Sequence, residues 1–138
     1  MNKLTLIDHV AITVEDLDAS FCFYDRLFRA KIHAEYAPDG KLLVRQIALG
    51  DIVLSIHQIN NGVDLVAKRP TTGSADLCFR WGGTMDSAIN LLKENNIEII
   101  HGPVPRTTSS HQPAQSIFFR DPDGNLLELM AADQNGSD

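Results

Sequence analysis

The apolar positions of this chain change period twice over its length. From Leu4 to Val14 they alternate with polar ones, the period of a strand with one buried face. From about Leu17 to Phe28 they recur every three or four residues, which puts Phe21, Tyr24, Leu27 and Phe28 on one helical stripe. Strand-like stretches follow near Lys31–Tyr36, Leu42–Leu49 and Ile52–Gln58. After the polar break Asn60–Asn61–Gly62 and the turn-rich Arg69–Ser74, the same order recurs. Ala75–Trp81 reads as a strand and Met85–Asn95 as a helix with Met85, Ile89 and Leu92 inward. Glu98–His101, Gln115–Arg120 and Asn125–Ala131 read as strands. Asp16 and Thr84 stand where a side chain can cap the first turn of each helix. The chain is therefore α+β, a β-α-β-β-β unit over 1–68 and a second over 69–138 with a polar tail. IDHVAITV answers ADLCFRW, and LDASFCFY answers MDSAINLL. One such unit leaves a sheet face bare, and a second copy is the economical way to complete the fold.

Alternation also sorts the side chains by face. Val10, Ile12 and Val14 belong under a helix, leaving His9, Ala11 and Thr13 on the other side. Leu77, Phe79 and Trp81 leave Asp76, Cys78 and Arg80. Ile52, Leu54 and Ile56 leave Val53, Ser55 and His57. Ile117 and Phe119 leave Ser116, Phe118 and Arg120, and Leu127 and Leu129 leave Leu126, Glu128 and Met130. Polar or ionisable groups on the bare face of these strands suggest a polar-lined concavity for a metal or a small molecule. Asp121-Pro122-Asp123-Gly124 reads as a tight turn that fixes the register of Glu128. The segment Gly102–Pro113, rich in Pro, Ser and Thr, reads as a long connection, either a pocket lid or a passive loop.

Composition narrows the partners. The chain has 138 residues, 43% of them hydrophobic and 22% charged, which is ordinary globular usage. Twelve Lys and Arg against eighteen Asp and Glu give a net charge of −6, a field that repels nucleic acid and anionic membrane surfaces. The opening residues do not read as a signal peptide and no apolar run is long enough to span a bilayer, so a cytoplasmic protein is expected. Cys22 and Cys78 form no CxxC pair and read as buried free thiols.

With DHVAITVEDLDASFCFY at the start and FFRDPDGNLLEL at the end, the sequence resembles the vicinal oxygen chelate superfamily. That superfamily takes in glyoxalase I, fosfomycin-resistance enzymes, extradiol dioxygenases and bleomycin-resistance proteins. The resemblance covers roughly residues 5 to 132. GSADLCF and GPVPRT are similar to a narrower branch, the glyoxalase domain-containing protein 5-like group. The resemblance implies two paired βαβββ modules forming a curved mixed-sheet cup, helices outside, around one divalent metal. By position it gives the ligand places to His9, Ser55, Asp76 and Glu128.

His9 and Glu128 match the pattern. Asp76 stands where histidine is usual, and Ser55 where glyoxalase I has glutamate, with His57 two residues further along the same face. The candidate metal ligands are therefore His9, Glu128, Asp76 and His57, with Glu128 also the catalytic group. Ser55, Arg80, Ser116, Phe118 and Arg106 are the candidate substrate contacts, and His33, His101 and His111 read as surface or loop histidines. The mixed donor set suits Fe, Mn, Ni or Zn alike. The implied function is a metal-dependent lyase or isomerase of glyoxalase type acting on a small oxygenated substrate, working as a homodimer. The alternatives are an Fe(II) extradiol-type dioxygenase and a metal-free small-molecule binding or resistance protein.

Overall fold

The first alternating run becomes β1 (Val10–Val14), and the helical stripe becomes α1 (Leu17–Phe28). β2 (Lys31–Tyr36), β3 (Val44–Leu49) and β4 (Ile52–Gln58) follow. The second run of elements is β5 (Asp76–Arg80), α2 (Met85–Glu94), β6 (His101–Thr107), β7 (Pro113–Arg120) and β8 (Leu126–Ala131). This computed structural model describes residues 2–132. The chain divides into two units, Met1–Thr72 and Gly73–Asp138. Each holds one four-stranded sheet, in the orders β1-β4-β3-β2 and β5-β8-β7-β6. Both sheets are mixed: β1 runs parallel to β4 and β5 parallel to β8, and the other pairs are antiparallel. Among the described residues, no helix is long and apolar enough to cross a membrane.

In the amino-terminal unit α1 lies on the sheet through Leu17, Phe23, Tyr24 and Leu27, buried with Ile12, Val14, Ile47, Leu49, Leu54 and Ile56. The Phe23 ring meets Tyr24 edge-on at 5.3 Å. Phe23 was not on the expected stripe, whereas Phe21 was. Phe21 is only half-buried and lies under the Arg45 guanidinium, 5.2 Å from its ring centre. Arg45 in turn donates to Glu35 at 2.8 Å and Asp18 at 3.2 Å. Burial opposes the charge on Arg45, but the two carboxylates outweigh it and raise the pKa.

The helix start is fixed from two sides. Asp16 Oδ1 accepts from the Ala19 N–H at 3.0 Å. Gln58 accepts from the Leu17 N–H at 3.2 Å and donates to the Glu15 carbonyl. Asp16→Ala is expected to cost about 1 kcal/mol, read as a lower urea midpoint with an unchanged slope. It removes one of several anchors, so it should not unfold the unit.

β1 is shorter than the alternation suggested, for a physical reason. Val10 pairs with Leu54, so the partner strand, which begins at Ile52, runs out level with Asp8. Leu4, Leu6 and Ile7 therefore have no strand to pair with in this unit and are exposed, and Val10 itself is 40% exposed rather than covered by the helix.

The carboxy-terminal unit repeats the plan. Thr84 Oγ1 accepts from the Ser87 N–H at 3.1 Å. Met85, Ala88 and Leu92 of α2 are buried, as are Ile117, Phe119, Leu127 and Leu129 of the sheet beneath; Ile89, expected inward, is only partly covered. The turn at Asp121 closes through the Gly124 N–H onto the Asp121 carbonyl at 3.0 Å. It is held by side chains as well: Asn125, 1% exposed, donates to Asp121 Oδ2 at 2.8 Å and accepts from the Ala75 N–H at 2.9 Å. That clasp ties β5 to β8 and fixes the register in which Glu128 stands opposite Cys78.

Two expectations fail here. Gly102–Pro113 is not a lid or a passive loop, because its first half is β6, paired to β7 through Val104↔Ser116 and Arg106↔Ala114, and Pro113 already opens β7. Only a short turn remains, closed by the Thr108 N–H on the Gln112 carbonyl at 2.8 Å. The cysteines are free but not buried; Cys22 and Cys78 are both exposed. Cys22 sits on the outer side of α1, and Cys78 on the polar face of β5.

Candidate functional site

In the amino-terminal unit the pairing of β1 with β4 sets Ala11 beside Ser55 and Thr13 beside His57, all on the face away from α1. His9, one residue before β1, continues that face. A cavity of about 460 Å³ opens on it, lined by His9, Thr13 and His57 and by Leu65, Val66 and Pro70 from the segment after β4. Ser55 is 3% exposed and lies in the sheet beneath. Of the candidates in this unit, His9 and His57 are thus brought to one cavity.

The two imidazoles differ in state. His9 Nδ1 lies 2.9 Å from Asp8 Oδ2. A carboxylate at Nδ1 favours the tautomer protonated there and leaves Nε2 with the free lone pair, the usual arrangement of a ligating histidine and its carboxylate. His57 is half-buried, and its Nδ1 is buried without a hydrogen-bond partner. Burial, and then the charge of His9, lowers the His57 pKa from its ordinary 6.5. His57 is therefore neutral at pH 7, the form that binds a metal.

The sign of the pH effect on stability follows from that shift. Below pH 6.5 the unfolded chain takes a proton at position 57 that the folded chain resists, so stability is complete above 6.5 and declines as the pH falls through the lowered value. His57→Gln is expected to flatten the drop in thermal midpoint between pH 7 and pH 5.5, measured by calorimetry against the parent protein.

In the carboxy-terminal unit the equivalent pairing puts Cys78 beside Glu128 and Arg80 beside Met130. The same strand pairing that sets Ala11 against Ser55 here sets Cys78 against Glu128, so Ser55 holds the place that Glu128 holds in the second sheet. Across β8 and β7, Glu128 stands opposite Phe118, and Met130 opposite Ser116. Asp76 and Arg120 flank Leu126 on the same face. Arg106 reaches from β6 over the Phe118 ring, 5.3 Å from its centre. All the candidates of this unit, Asp76, Arg80, Arg106, Ser116, Phe118 and Glu128, share one sheet face. Although Cys78 is exposed as a residue, its thiol is partly desolvated on the sheet, and that, then the Glu128 carboxylate, push it up to about 12. It remains a protonated donor beside Glu128 instead of a reactive thiolate.

His101, read as a surface or loop histidine, is exposed; it opens β6 opposite Phe118, with the two rings 5.7 Å apart and a bulge between His101 and Val104. His33 lies at the bulge of β2, and His111 in the β6–β7 turn.

The donors suit a divalent ion. In the amino-terminal unit these are an unpartnered imidazole and a second imidazole beside a carboxylate, and in the carboxy-terminal unit the carboxylates of Asp76 and Glu128, nitrogen and oxygen donors of borderline hardness. Among the described residues, no three His, Cys, Asp or Glu gather closely enough to hold an ion.

Comparison with known proteins places this architecture. The family model of the Glyoxalase/Bleomycin resistance protein/Dioxygenase superfamily matches residues 6–129. Virulence protein STM3117 of Salmonella typhimurium is 33% identical over 123 residues, covering 89% of this chain and 81% of that protein. Its crystal structure superposes with a TM-score of 0.81 at 30% identity, over 94% of this chain and 98% of that one. Glyoxalase domain-containing protein RDO1 of Mycosarcoma maydis is 35% identical over 123 residues, 89% of this chain and 66% of its own length. The fosfomycin resistance protein FosX of Listeria monocytogenes, solved with Mn(II) and a sulfate ion, shares the fold at a TM-score of 0.64 and 19% identity, over 94% of this chain and 92% of that one. The match runs from ahead of β1 into β8, and on that ground the chain belongs to the glyoxalase/bleomycin resistance protein/dioxygenase superfamily.

Proposed function

We propose that the protein is a divalent-metal-dependent lyase or isomerase of glyoxalase type, acting on a small oxygenated molecule. The ligands in this reading are His9, His57 and Glu128, with Asp76 as a fourth ligand or as an orienting carboxylate. The observation that carries it is the pair His9 and His57 on one cavity, His57 neutral and with Nδ1 unpartnered. A histidine held so in a structural role would leave a buried polar atom unpaired at a cost of about 1–3 kcal/mol. FosX, which binds Mn(II), supports the general expectation of a metal on this fold.

A divalent ion supplies Lewis acidity, polarising substrate oxygens and stabilising the negative charge that develops on them. The chain supplies the proton transfer. Glu128 takes a proton from the carbon next to the polarised oxygen and returns it to the neighbouring carbon, so the isomerisation consumes no co-reactant. The protonated Cys78 beside it donates to the carboxylate and orients it. Neutral His57 contributes no positive charge that would repel the ion. The reading also takes the protein as a cytoplasmic homodimer.

The test is elemental analysis of tag-free protein, before and after reloading with Fe(II), Mn(II), Ni(II) or Zn(II). About one ion per chain is expected, lost on His9→Ala and on His57→Ala while the thermal midpoint of the metal-free protein is unchanged. Protein that retains no ion after reloading overturns the metal enzyme and leaves the small-molecule binder. Turnover of methylglyoxal–thiol adducts supports the lyase; oxygen uptake with catechols by the iron form replaces it with the dioxygenase.

A further inference from the structure

The carboxy-terminal sheet face that carries Glu128 and Asp76 also carries Arg80, Arg106 and Arg120, and among the described residues none of the three pairs with a carboxylate. Arg80 is two residues along β5 from Cys78, Arg120 is level with Leu126, and Arg106 bends back over Phe118 from the edge strand. Arg45 in the other unit, by contrast, pairs with Glu35 and Asp18. Among the described residues Arg80 and Arg106 have no carboxylate within salt-bridge reach, although the chain carries a net charge of −6. Arg106 is nevertheless held in place. Its guanidinium lies over the Phe118 ring and one NH group donates to the Pro105 carbonyl at 2.9 Å. A cation–π contact and one backbone hydrogen bond leave the other donors of the guanidinium free.

A second observation points to the same place. Ser116 is fully buried, its hydroxyl has no hydrogen-bond partner, and it lies on this face opposite Met130, in the row that begins with Arg80. A buried hydroxyl left unpaired is costly in a sheet and is repaid where a ligand oxygen reaches it. The charges of the face agree. Asp76 and Glu128 are outnumbered by Arg80, Arg106 and Arg120, and a divalent ion on Glu128 would add two more positive charges. A face so charged calls for an anion.

We infer that the molecule bound here is an oxyanion, a small organic acid whose carboxylate or phosphonate is held by Arg80 and Arg106 beside Glu128, with Ser116 completing the donors. The inference rests on the proposed metal-dependent reading for its identification of that molecule as the substrate. Arg80 and Arg106 are then specificity-determining residues. Each offers a planar fork of N–H groups that matches two oxygens of such an anion, and a neutral analogue leaves both forks unpaired.

The test is titration calorimetry of the metal-loaded full chain with three probes: 2-hydroxyisobutyrate, phosphonoacetate and the uncharged 2-hydroxyisobutyramide. The anions are expected to bind, and the amide to bind about 10- to 100-fold more weakly, the value of losing charge-assisted hydrogen bonds. Arg80→Gln and Arg106→Gln are each expected to weaken the anions by a similar factor, with metal content unchanged by elemental analysis. The stronger of the two acids tells whether the natural anion is a carboxylate or a phosphonate. Equal binding of acid and amide, parent-like affinity in both variants, or no anion binding up to millimolar concentration would each overturn the inference. A metal-replete protein that ignores charge sinks this inference and leaves the enzyme reading intact. Protein that never takes up metal but binds the acids through both arginines sinks the enzyme reading and leaves the anion site.

Discussion

Gly102→Ala is expected to lower the thermal midpoint by about 10–20 °C, corresponding to about 3–5 kcal/mol. Two independent causes add. Gly102 has φ of +99°, a conformation that side-chain-bearing residues adopt only under strain. A Cβ built there would lie 2.4 Å from the Ser116 carbonyl oxygen and 3.2 Å from Ile117 Cα, both of them backbone atoms in a paired strand. A flexible side chain could swing aside, but the β7 backbone cannot move without disturbing its ladder with β8. Gly50→Ala separates the two causes. Gly50 also has positive φ, +57°, but nothing lies within 4 Å of its built Cβ. That variant is expected to lose only about 1 kcal/mol, the cost of the backbone conformation alone. Calorimetry on the two proteins decides the matter: equal losses would mean that the contact with Ser116 does not hold β6 in place.

The same glycine shows where the chain could and could not be read. Alternation over Ile52–Gln58 gives that strand to the residue, because Leu54 and Ile56 are buried under α1; Lys31–Tyr36 also forms to the residue, although every residue of it is exposed. α1 is equally plain, since Asp16 marks its start; its end, at Arg29 with φ +55°, shows only in the fold. β6 is hidden because it is an edge strand. Pro103 and Pro105 lack the N–H of an ordinary strand residue, yet an edge has ladder positions that need no donor, so prolines that argue against a strand in sequence are tolerated in the fold. The bulge after His101 then shifts the face on which later residues of β6 fall.

The helix stripe failed more narrowly. Phe21 and Phe23 are both aromatic two apart, and only the angle at which α1 meets the sheet decides that Phe23 is buried and Phe21 is left to Arg45. Candidate chemistry was legible wherever it sat on a regular strand. Asp76, Ser116, Phe118 and Glu128 were separated from their apolar neighbours by parity alone. Hydrogen bonding was not legible. Nothing in the order of residues tells that Asp8 turns toward His9, or that the Ser116 hydroxyl goes without a partner.

Glu128→Gln tests the chemistry most directly. Leu127 and Leu129 on either side are fully buried, and Glu128 projects from the opposite face. The amide is nearly isosteric with the acid, so the parent fold and thermal midpoint of the metal-free protein are expected to persist. What changes is charge and basicity. A neutral amide is a poorer ligand for a divalent ion and cannot carry a proton, so metal affinity is expected to fall by about 100-fold or more, and turnover by about 10²–10⁴-fold even where saturating metal restores occupancy. Asp76→Asn divides the two roles open to its neighbour. If Asp76 only orients another group, its loss costs about 10- to 100-fold in metal affinity with occupancy recoverable at higher metal; as a direct ligand it fails alongside Glu128. Elemental analysis and a turnover assay on the same two preparations give the answer. A Glu128→Gln protein that keeps both its ion and its rate would show that the carboxylate is a solvated group on a sheet face. The metal and the proton transfer would then have to be sought elsewhere on the chain.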